Sequence, residues 1–351
     1  MISVRALAAG MVLLMFATAC ARTPSTSASG AKPIDLYAAE PSPADVKSML
    51  GDSNWWPGPP SFGVRPLDSA SMPMAERFRI LQRFVHIGTA ETFDVEFIQW
   101  TSASTATTQM NNIKSALGTS ASGASVGDQS LYYGLQGTGG APFQTATFVR
   151  VGAVMTTITL SMKDAYPKLD LLGKIANRVV SRLKNALTGK VHGNALASTD
   201  ESRLPPKGPD MTLLGAVKLP VEAVIVMLNF AAPETLSGLL RSAGADSIVF
   251  GDYALDNDTH MEMRAGVLEF NSTQKATDWI DALRGNATID SNGIASFYDP
   301  STGQYFSLFT AGAKGAMLVC RSVADGEAAS RSCEVPMSRV APAWQFSLNA
   351  Q

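Results

Sequence analysis

One arrangement of motifs occurs twice along this chain of 351 residues, and it limits the possible fold more than any other feature. Each copy begins with two alanines and a proline ahead of a short helix with an apolar face. An alternating apolar stretch typical of a strand follows, at residues 93–100 and 261–270. Each stretch leads into a helix behind a polar cap, Ser102 or Ser272, so the chain is predicted to contain two similar modules.

Both modules return to strands after the capped helix, and their order favours antiparallel pairing with helices packed on one face of the sheet. The predicted fold class is therefore α+β. The first module is expected at residues 36–188 and the second at 211–351. Residues 189–210, which are rich in Gly, Ser, Asp and Pro, predict a semi-extended linker.

The two modules are expected to differ at their ends. The first closes with an amphipathic helix from Lys168 to Leu187 that has a continuous apolar face. In the second, only residues 326–339 favour a helix, and Pro336 is expected to interrupt it.

The N-terminus predicts export from the cytoplasm. A positive start, an apolar run from Ala6 to Phe16 and small residues before a cysteine follow the layout of a signal peptide over residues 1–19. The apolar run is too short to span a bilayer, which requires roughly 20 residues. Residues 20–35 have the composition of a flexible tether.

Ala17-Thr18-Ala19-Cys20 resembles the lipobox of bacterial lipoproteins, which implies that Cys20 carries a diacylglyceryl group. The motif usually has Leu where this chain has Ala17. Ordinary cleavage with an incidental cysteine is the alternative, and it also exports the chain. Lipidation predicts a protein anchored to the cell membrane on its extracytoplasmic face, since two acyl chains hold a soluble domain stably at a membrane.

Two other cysteines remain, Cys320 and Cys333. In an exported protein they are a candidate disulfide pair, and two separately buried thiols are the alternative. Neither arrangement suggests catalysis.

The charge balance argues against nucleic acid as a partner. Charged residues are 17% of the chain, the formal net charge is −2 at pH 7, and no basic stripe is present. The 46% share of hydrophobic residues is typical of a chain that forms globular cores.

Three segments of the chain resemble small extracytoplasmic α+β modules of actinobacterial lipoproteins and of the sensor domains of some of their membrane kinases. They are residues 127–133 (GDQSLYY), 149–152 (VRVG) and 176–183 (ANRVVSRL). The resemblance covers mainly the first module. It implies a role in binding a ligand or partner, and it transfers no catalytic residue.

The chain contains matches to catalytic motifs, but each lies in an unsuitable structural setting. Ser125 fits the nucleophile-elbow pattern, but a polar loop precedes it and a strand is expected to follow, whereas the elbow requires a strand and then a helix. Ser181 and Lys184 match a serine–lysine motif in the middle of an amphipathic helix, without its companion motif. We therefore expect no catalytic residues.

We also expect no metal and no cofactor. The three histidines, His86, His192 and His260, form no cluster with zinc-ligand spacing. Asp252, Asp256 and Asp258 could offer oxygens to calcium, but the run lacks the glycine and the terminal glutamate of a dedicated loop. A charged hairpin tip is the alternative.

Trp55 and Trp56 are the candidate binding residues. They lie on a proline-stiffened segment, and adjacent rings on an extended chain point in opposite directions, so one of them is a possible stacking platform for a sugar or peptide. Coverage of a core edge is the alternative.

These observations predict a non-enzymatic envelope lipoprotein that binds a small ligand or a protein partner, with the groove between the modules as the expected site. An envelope hydrolase that uses Ser125 or acidic groups is one alternative. A purely structural lipoprotein is the other.

Overall fold

The computed structural model of the protein describes residues 33–62, 76–89, 91–135, 142–191, 196–208, 211–255, 258–322 and 326–351. The predicted signal peptide, Cys20 and most of the tether lie outside these residues, as do His192 and Asp256. The chain divides into two compact units, with the boundary between residues 194 and 195.

The first unit contains four helices and seven strands among the described residues. The helices are α1 (Pro33–Tyr37), α2 (Pro43–Leu50), α3 (Ala103–Leu117) and α4 (Leu169–Leu187). The strands are β1 (Trp55–Pro57), β2 (Ser61–Phe62), β3 (Glu76–His86), β4 (Thr92–Trp100), β5 (Gln129–Leu135), β6 (Phe143–Val151) and β7 (Val154–Met162). They form one antiparallel sheet in the order β1-β3-β4-β7-β6-β5, with β2 also paired to β3.

Helix α2 shows why these segments fold locally as they do. Ser42 and Asp45 form a reciprocal capping box at its start, and Pro43 occupies the first turn, where a missing N–H costs nothing. Gly51 ends the helix in the left-handed conformation, at φ 73°.

The second unit contains five helices and six strands among the described residues. The helices are α5 (Ser198–Glu201), α6 (Glu222–Leu228), α7 (Pro233–Ser242), α8 (Thr273–Arg284) and α9 (Gly326–Asn349). The strands are β8 (Met211–Pro220), β9 (Ser247–Leu255), β10 (Asp258–Glu269), β11 (Ala295–Asp299), β12 (Gln304–Ala311) and β13 (Lys314–Ser322). They form an antiparallel sheet in the order β11-β12-β13-β10-β9-β8.

The two units share one order of elements, so the predicted pair of similar α+β modules is confirmed. The series β3-β4-α3-β5-β6-β7-α4 corresponds to β9-β10-α8-β11-β12-β13-α9. The likeness extends to single hydrogen bonds. The capping hydroxyls of Ser102 and Ser272 accept from backbone N–H groups three residues on, at 3.1 and 3.3 Å.

The helices lie on both faces of each sheet, which differs from the predicted packing on one face. In the first unit, Tyr133 belongs to the core beneath α3, whereas the hydroxyl of the adjacent Tyr132 lies on the side of Gly173 in α4. Side chains alternate along a strand, so these neighbours mark opposite faces. The apolar stripe of a helix is visible in sequence, but the face that it covers depends on the crossover connection.

The second unit has the same arrangement. Gly315 faces Trp279 of α8, while the adjacent Ala316 belongs to the core that includes Trp344 of α9.

The prediction that Pro336 interrupts the last helix is wrong, because α9 runs through Pro336 and Pro342 to Asn349. A proline inside a helix costs about 3 kcal/mol. The same helix buries Met337, Trp344 and Leu348, each of which contributes about 1.5–3 kcal/mol when fully buried, so packing outweighs the local penalty.

The predicted linker also requires correction, because residues 196–208 belong to the second unit. Leu204 is only 4% exposed and joins the main core, where Gly251 of β9 leaves room for it. The indole Nε1 of Trp344 donates to the carbonyl of Arg203 at 2.8 Å. Composition indicated a linker because the segment is short of large apolar residues, although Leu196 also packs against this core and Pro205 is buried.

Candidate functional site

A cavity of about 340 Å³ lies in the second unit, against one face of its sheet. Lys218 of β8, Val249 of β9 and Val267 of β10 line it, and the strand register places these three side chains in one row across the sheet. The volume is at the lower end of the range for small-molecule sites in proteins.

The segment that follows α5 supplies one wall of this cavity through Arg203. Its position is fixed on two sides, since Leu204 is buried in the core and the Arg203 carbonyl accepts the Trp344 indole N–H. The folded part of the predicted linker is therefore a component of the site.

Opposed charges meet at the cavity. Nη2 of Arg203 lies 2.7 Å from Oε2 of Glu269, the last residue of β10. The carboxylate of Asp200 accepts from Lys218 Nζ at 3.1 and 3.2 Å and lies 3.5 Å from Nη1 of Arg203. One largely buried carboxylate thus holds both cations of the site.

The acidic groups of the cavity lining are more exposed than the carboxylate that anchors the cations. The side chain of Glu269 is 52% exposed, that of Asp246 is 75% exposed, and that of Asp200 is 12% exposed. Asp246 also lies 3.4 Å from Nη1 of Arg241. The lining therefore offers two positive and two negative side chains to a ligand.

The accessible lining of the cavity is mainly polar. Val249 and Val267 lie beneath it and are at most 3% exposed. The Phe270 ring packs on the opposite face of the sheet, beside Gly315 and Trp279 of α8. The charged side chains are therefore the groups that the cavity offers to a ligand.

The amino-acid sequence did not predict this site. Its charged residues come from positions 203, 218, 246 and 269, which no motif connects. The one available signal was the basic residue at 203 beside Leu204, within a segment that composition assigned to a linker.

The predicted binding pair, Trp55 and Trp56, is divided by strand β1. Trp55 is 3% exposed, and its ring packs edge-on against His86 with 5.2 Å between centroids. Trp56 is half-buried on the other side of the strand. Trp55 therefore belongs to the core and cannot act as a stacking platform, whereas Trp56 retains an accessible part.

His86 joins a hydrogen-bonded group at the end of β3. Its Nε2 lies 2.9 Å from Oδ2 of Asp52, and its Nδ1 lies 2.9 Å from the hydroxyl of Thr89. The hydrogen bond with His86 lowers the pKa of the Asp52 carboxyl below its usual value. The group ties the β3–β4 turn to the turn after α2, which is a structural role.

Ser125 lies on an exposed loop before β5. Among the described residues, no hydrogen bond to its hydroxyl is present. Ser181 and Lys184 lie within α4, as the sequence indicates. The geometry therefore provides no nucleophile–base pair at these positions.

The candidate calcium residues do not converge in the described part of the chain. Asp252 is fully buried in β9 beside Arg264, and Asp258 begins β10. Within the described ranges, no group of three or more His, Cys, Asp or Glu side chains is arranged to hold a metal ion.

Cys320 of β13 and Cys333 of α9 form a disulfide, with 5.7 Å between their Cα atoms. Both residues are buried in the core of the second unit. The bond fastens the start of α9 to the sheet. The two cysteines are 13 positions apart in the sequence.

No helix in the described part of the chain is long and apolar enough to cross a membrane.

No protein-family model and no curated protein matches the chain. Among solved structures, it is similar to the extracellular domain of PknH from Mycobacterium tuberculosis, with 13% identity and a TM-score of 0.33 over 45% of this chain and 100% of that one. It is also similar to TP0453, with 10% identity and a TM-score of 0.33 over 88% of this chain and 98% of that one. At this level of similarity, neither structure indicates a ligand or an activity for this chain.

Proposed function

We propose that the protein is an exported, lipid-anchored binding protein without enzymatic activity, and that its ligand site is the cavity of the second unit. The observation that carries the proposal is the meeting of Arg203, Lys218 and Glu269 at one cavity. These groups can bind and orient a small molecule.

Two features support an extracytoplasmic location. The N-terminus has the layout of a signal peptide that ends in the lipobox-like Ala17-Thr18-Ala19-Cys20. The disulfide between Cys320 and Cys333 is of a kind that persists mainly in oxidising compartments.

Native mass spectrometry of the mature chain, purified gently from its own host, tests the binding role. We expect an added mass in the wild type that is lost on denaturation. Lys218→Met removes a cation of the cavity and should abolish the added mass. Arg284→Gln, which removes an arginine that pairs with Asp281 on α8, is the matched control and should retain it.

If the wild type and Arg284→Gln both have the mass of the chain alone, the protein does not retain a small ligand on purification. An added mass that persists in Lys218→Met would place the ligand elsewhere on the protein.

A further inference from the structure

We propose that residues 33–50 form a strap on the first unit, and that this strap opens locally when Glu40 loses its proton. The strap consists of α1, α2 and the turn that joins them. Such a change in the first unit goes beyond the proposed function, since it requires no ligand and does not involve the cavity.

Glu40 lies in the turn between the two helices and is the unusual group of the strap. It is only 4% exposed, and neither of its carboxyl oxygens has a hydrogen-bond partner among the described residues. Buried polar groups of folded proteins are nearly always paired. A neutral carboxyl group occupies such a position at far lower cost than a carboxylate, so the closed strap favours the protonated form.

The surroundings of Glu40 favour its neutral form. Burial is the main reason why the pKa of the Glu40 carboxyl lies well above its usual value, and the negative charge of Glu96 on β4 adds to this effect. The charge of Arg182 on α4 opposes it. Arg182 also contacts Asp45 and donates to the carbonyl of Ala38 at 3.3 Å, so one guanidinium serves several groups.

The titratable and charged groups on the elements around Glu40 are Tyr37 of α1, Asp45 of α2, Glu76 and Arg79 of β3, Glu96 of β4, and Arg178 and Arg182 of α4. Arg79 contacts both Glu76 and Glu96, at 2.9 and 3.1 Å. Burial and the charge of Glu40 raise the pKa of the Tyr37 hydroxyl, which therefore stays neutral.

Asp45 stays ionised in the range in which Glu40 titrates. Burial would raise the pKa of the Asp45 carboxyl, but hydrogen bonds from Ser42 and the charges of Arg182 and Arg178 outweigh burial and lower that pKa. Glu40 is therefore the group whose proton is coupled to closure of the strap.

Few contacts hold the strap closed. Helix α1 packs against α4 and β3, and α2 packs against β1. Leu36, Ala39 and Val46 are fully buried. The arginines that pair with Asp45 are 48% and 35% exposed, and ion pairs of such exposure contribute little. A segment held in this way can open while the sheet remains folded.

The strap ends at a suitable hinge. Gly51 adopts the left-handed conformation at φ 73°, with open space around it. Directly after it, Asp52 Oδ2 lies 2.9 Å from His86 Nε2, and the carbonyl of Asn54 accepts from the Ile87 N–H at 2.9 Å. The chain beyond Gly51 is therefore fastened to the sheet, so opening stops at this residue.

Opening would change the attachment of the first unit. In a chain anchored through Cys20, it adds residues 33–50 to the flexible segment ahead of the sheet, which lengthens that segment by at most about 60 Å. It also uncovers the surface of α4 and β3 on which α1 packs. The first consequence rests on the proposed anchor, whereas the opening itself does not.

Native-state hydrogen exchange of the full mature chain, from about pH 5 to about pH 8, tests whether the strap opens on its own. Amides of α2 and its cap, such as those of Val46 and Gly51, report on the strap, and amides of β7 report on the sheet. After correction for the intrinsic exchange rate, we expect protection in α2 to fall about tenfold per pH unit until the carboxyl is ionised in the closed form as well.

The urea dependence separates local opening from global unfolding. We expect exchange in α2 to be faster than in β7 and to change little between 0 and about 1 M urea. Exchange in β7 should rise at least about fivefold over the same range, because global unfolding exposes more surface.

Glu40→Gln keeps a neutral group in the same place, so its corrected protection in α2 should not vary with pH. Asp164→Asn, which alters an exposed acid of the same unit, is the control and should behave as the wild type does. If circular dichroism shows that Glu40→Gln is unfolded, Glu40→Met replaces it as a variant without an ionisable group.

Equal protection and equal urea dependence in α2 and β7 would show that the strap unfolds only with the whole unit, and would overturn the proposal. Protection in α2 that is independent of pH in the wild type would also overturn it, as would an equal fall with pH in Glu40→Gln. The binding function is tested separately by mass spectrometry, since strap opening requires no ligand.

Discussion

Asp94 and Arg264 occupy the same place in the two sheets, eight residues before the serine that caps the following helix, yet they carry opposite charges. Each faces its counterion on the neighbouring strand. Asp94 pairs with Arg83 at 2.7 Å, and Arg264 lies 3.9 Å from Asp252. Both sheets therefore have a pair of opposite charges at this position. The acidic residue of the pair lies on β4 in the first sheet, and the basic residue lies on β10 in the second.

The two pairs should differ in their contribution to stability because they differ in burial. The side chain of Arg83 is 54% exposed, whereas that of Asp252 is fully buried. Asp94→Asn should cost about 0.5 kcal/mol. Asp252→Asn should cost more, about 2 kcal/mol, because it changes the polar groups at a fully buried position, although Arg264 keeps Glu262 as its acidic partner.

Urea unfolding, monitored by pulse-labelled hydrogen exchange in each unit, measures the loss of stability in both variants. The double exchange Arg83→Asp with Asp94→Arg is the control, and it should stay within about 0.5 kcal/mol of the wild type. Equal costs for Asp94→Asn and Asp252→Asn would show that burial does not determine the contribution.

The disulfide should stabilise the second unit. Replacing both Cys320 and Cys333 with alanine removes the closure of a short loop, and the chain-entropy relation gives a loss of about 3 kcal/mol. Thermal unfolding with and without reductant measures the effect. The wild type should lose stability on reduction, whereas the double variant should be insensitive to reductant; an unchanged wild-type midpoint after verified reduction would contradict this expectation.

Local signals explain which parts of the fold could be predicted. Ser102 and Ser272 each cap a helix within their own segment, so the starts of α3 and α8 were located to one residue. Packing partners such as Trp344 and Arg203 are 141 positions apart, and only the folded chain brings them together. The same limit applies to the candidate site. Arg203 and Glu269 are far apart in the sequence, so no local pattern predicts that they are in contact.

Gly127 should tolerate no side chain. It adopts φ 67°, and a Cβ there would lie 2.5 Å from the carbonyl oxygen of Arg150. Gly51 has a similar φ of 73° with open space around it, so Gly51→Ala measures the conformational cost alone, about 1 kcal/mol.

We expect Gly127→Ala to cost more than Gly51→Ala by at least about 1 kcal/mol, because backbone must shift to admit the methyl group. Urea unfolding of the two variants measures the difference. Equal costs would mean that β5 and β6 accommodate the added atom.

Lipidation of Cys20 predicts membrane attachment in the host. Cys20→Ala should move the protein from the detergent-rich to the aqueous phase in Triton X-114 partitioning and should abolish labelling by radioactive palmitate, because the acyl chains supply the membrane affinity. Ser25→Ala is the control and should keep both properties. Retention of label in Cys20→Ala would contradict the assignment of the anchor.

Glu40 should make the first unit less stable as the pH rises. Its side chain is buried, and neither carboxyl oxygen has a hydrogen-bond partner among the described residues. Burial raises the pKa of the Glu40 carboxyl well above its usual value of 4.5; the charge of Glu96 adds to this effect, and that of Arg182 opposes it.

The sign of the pH dependence follows from proton uptake. Above pH 4.5 the unfolded chain releases the Glu40 proton while the folded chain keeps it, so the folded state binds more protons and its stability falls until the pH passes the folded pKa. Glu40→Gln removes this dependence. Its stability relative to the wild type should therefore rise by about 1.4 kcal/mol per pH unit within that window.

Urea unfolding at several pH values from 4.5 upward, monitored by pulse-labelled exchange in α4, measures this difference. Asp164→Asn, which alters an exposed acid in the same unit, is the control and should show a nearly constant difference from the wild type. A constant difference for Glu40→Gln would mean that the carboxyl ionises equally in the folded and unfolded chain, and that its burial is relieved by partners that form in solution.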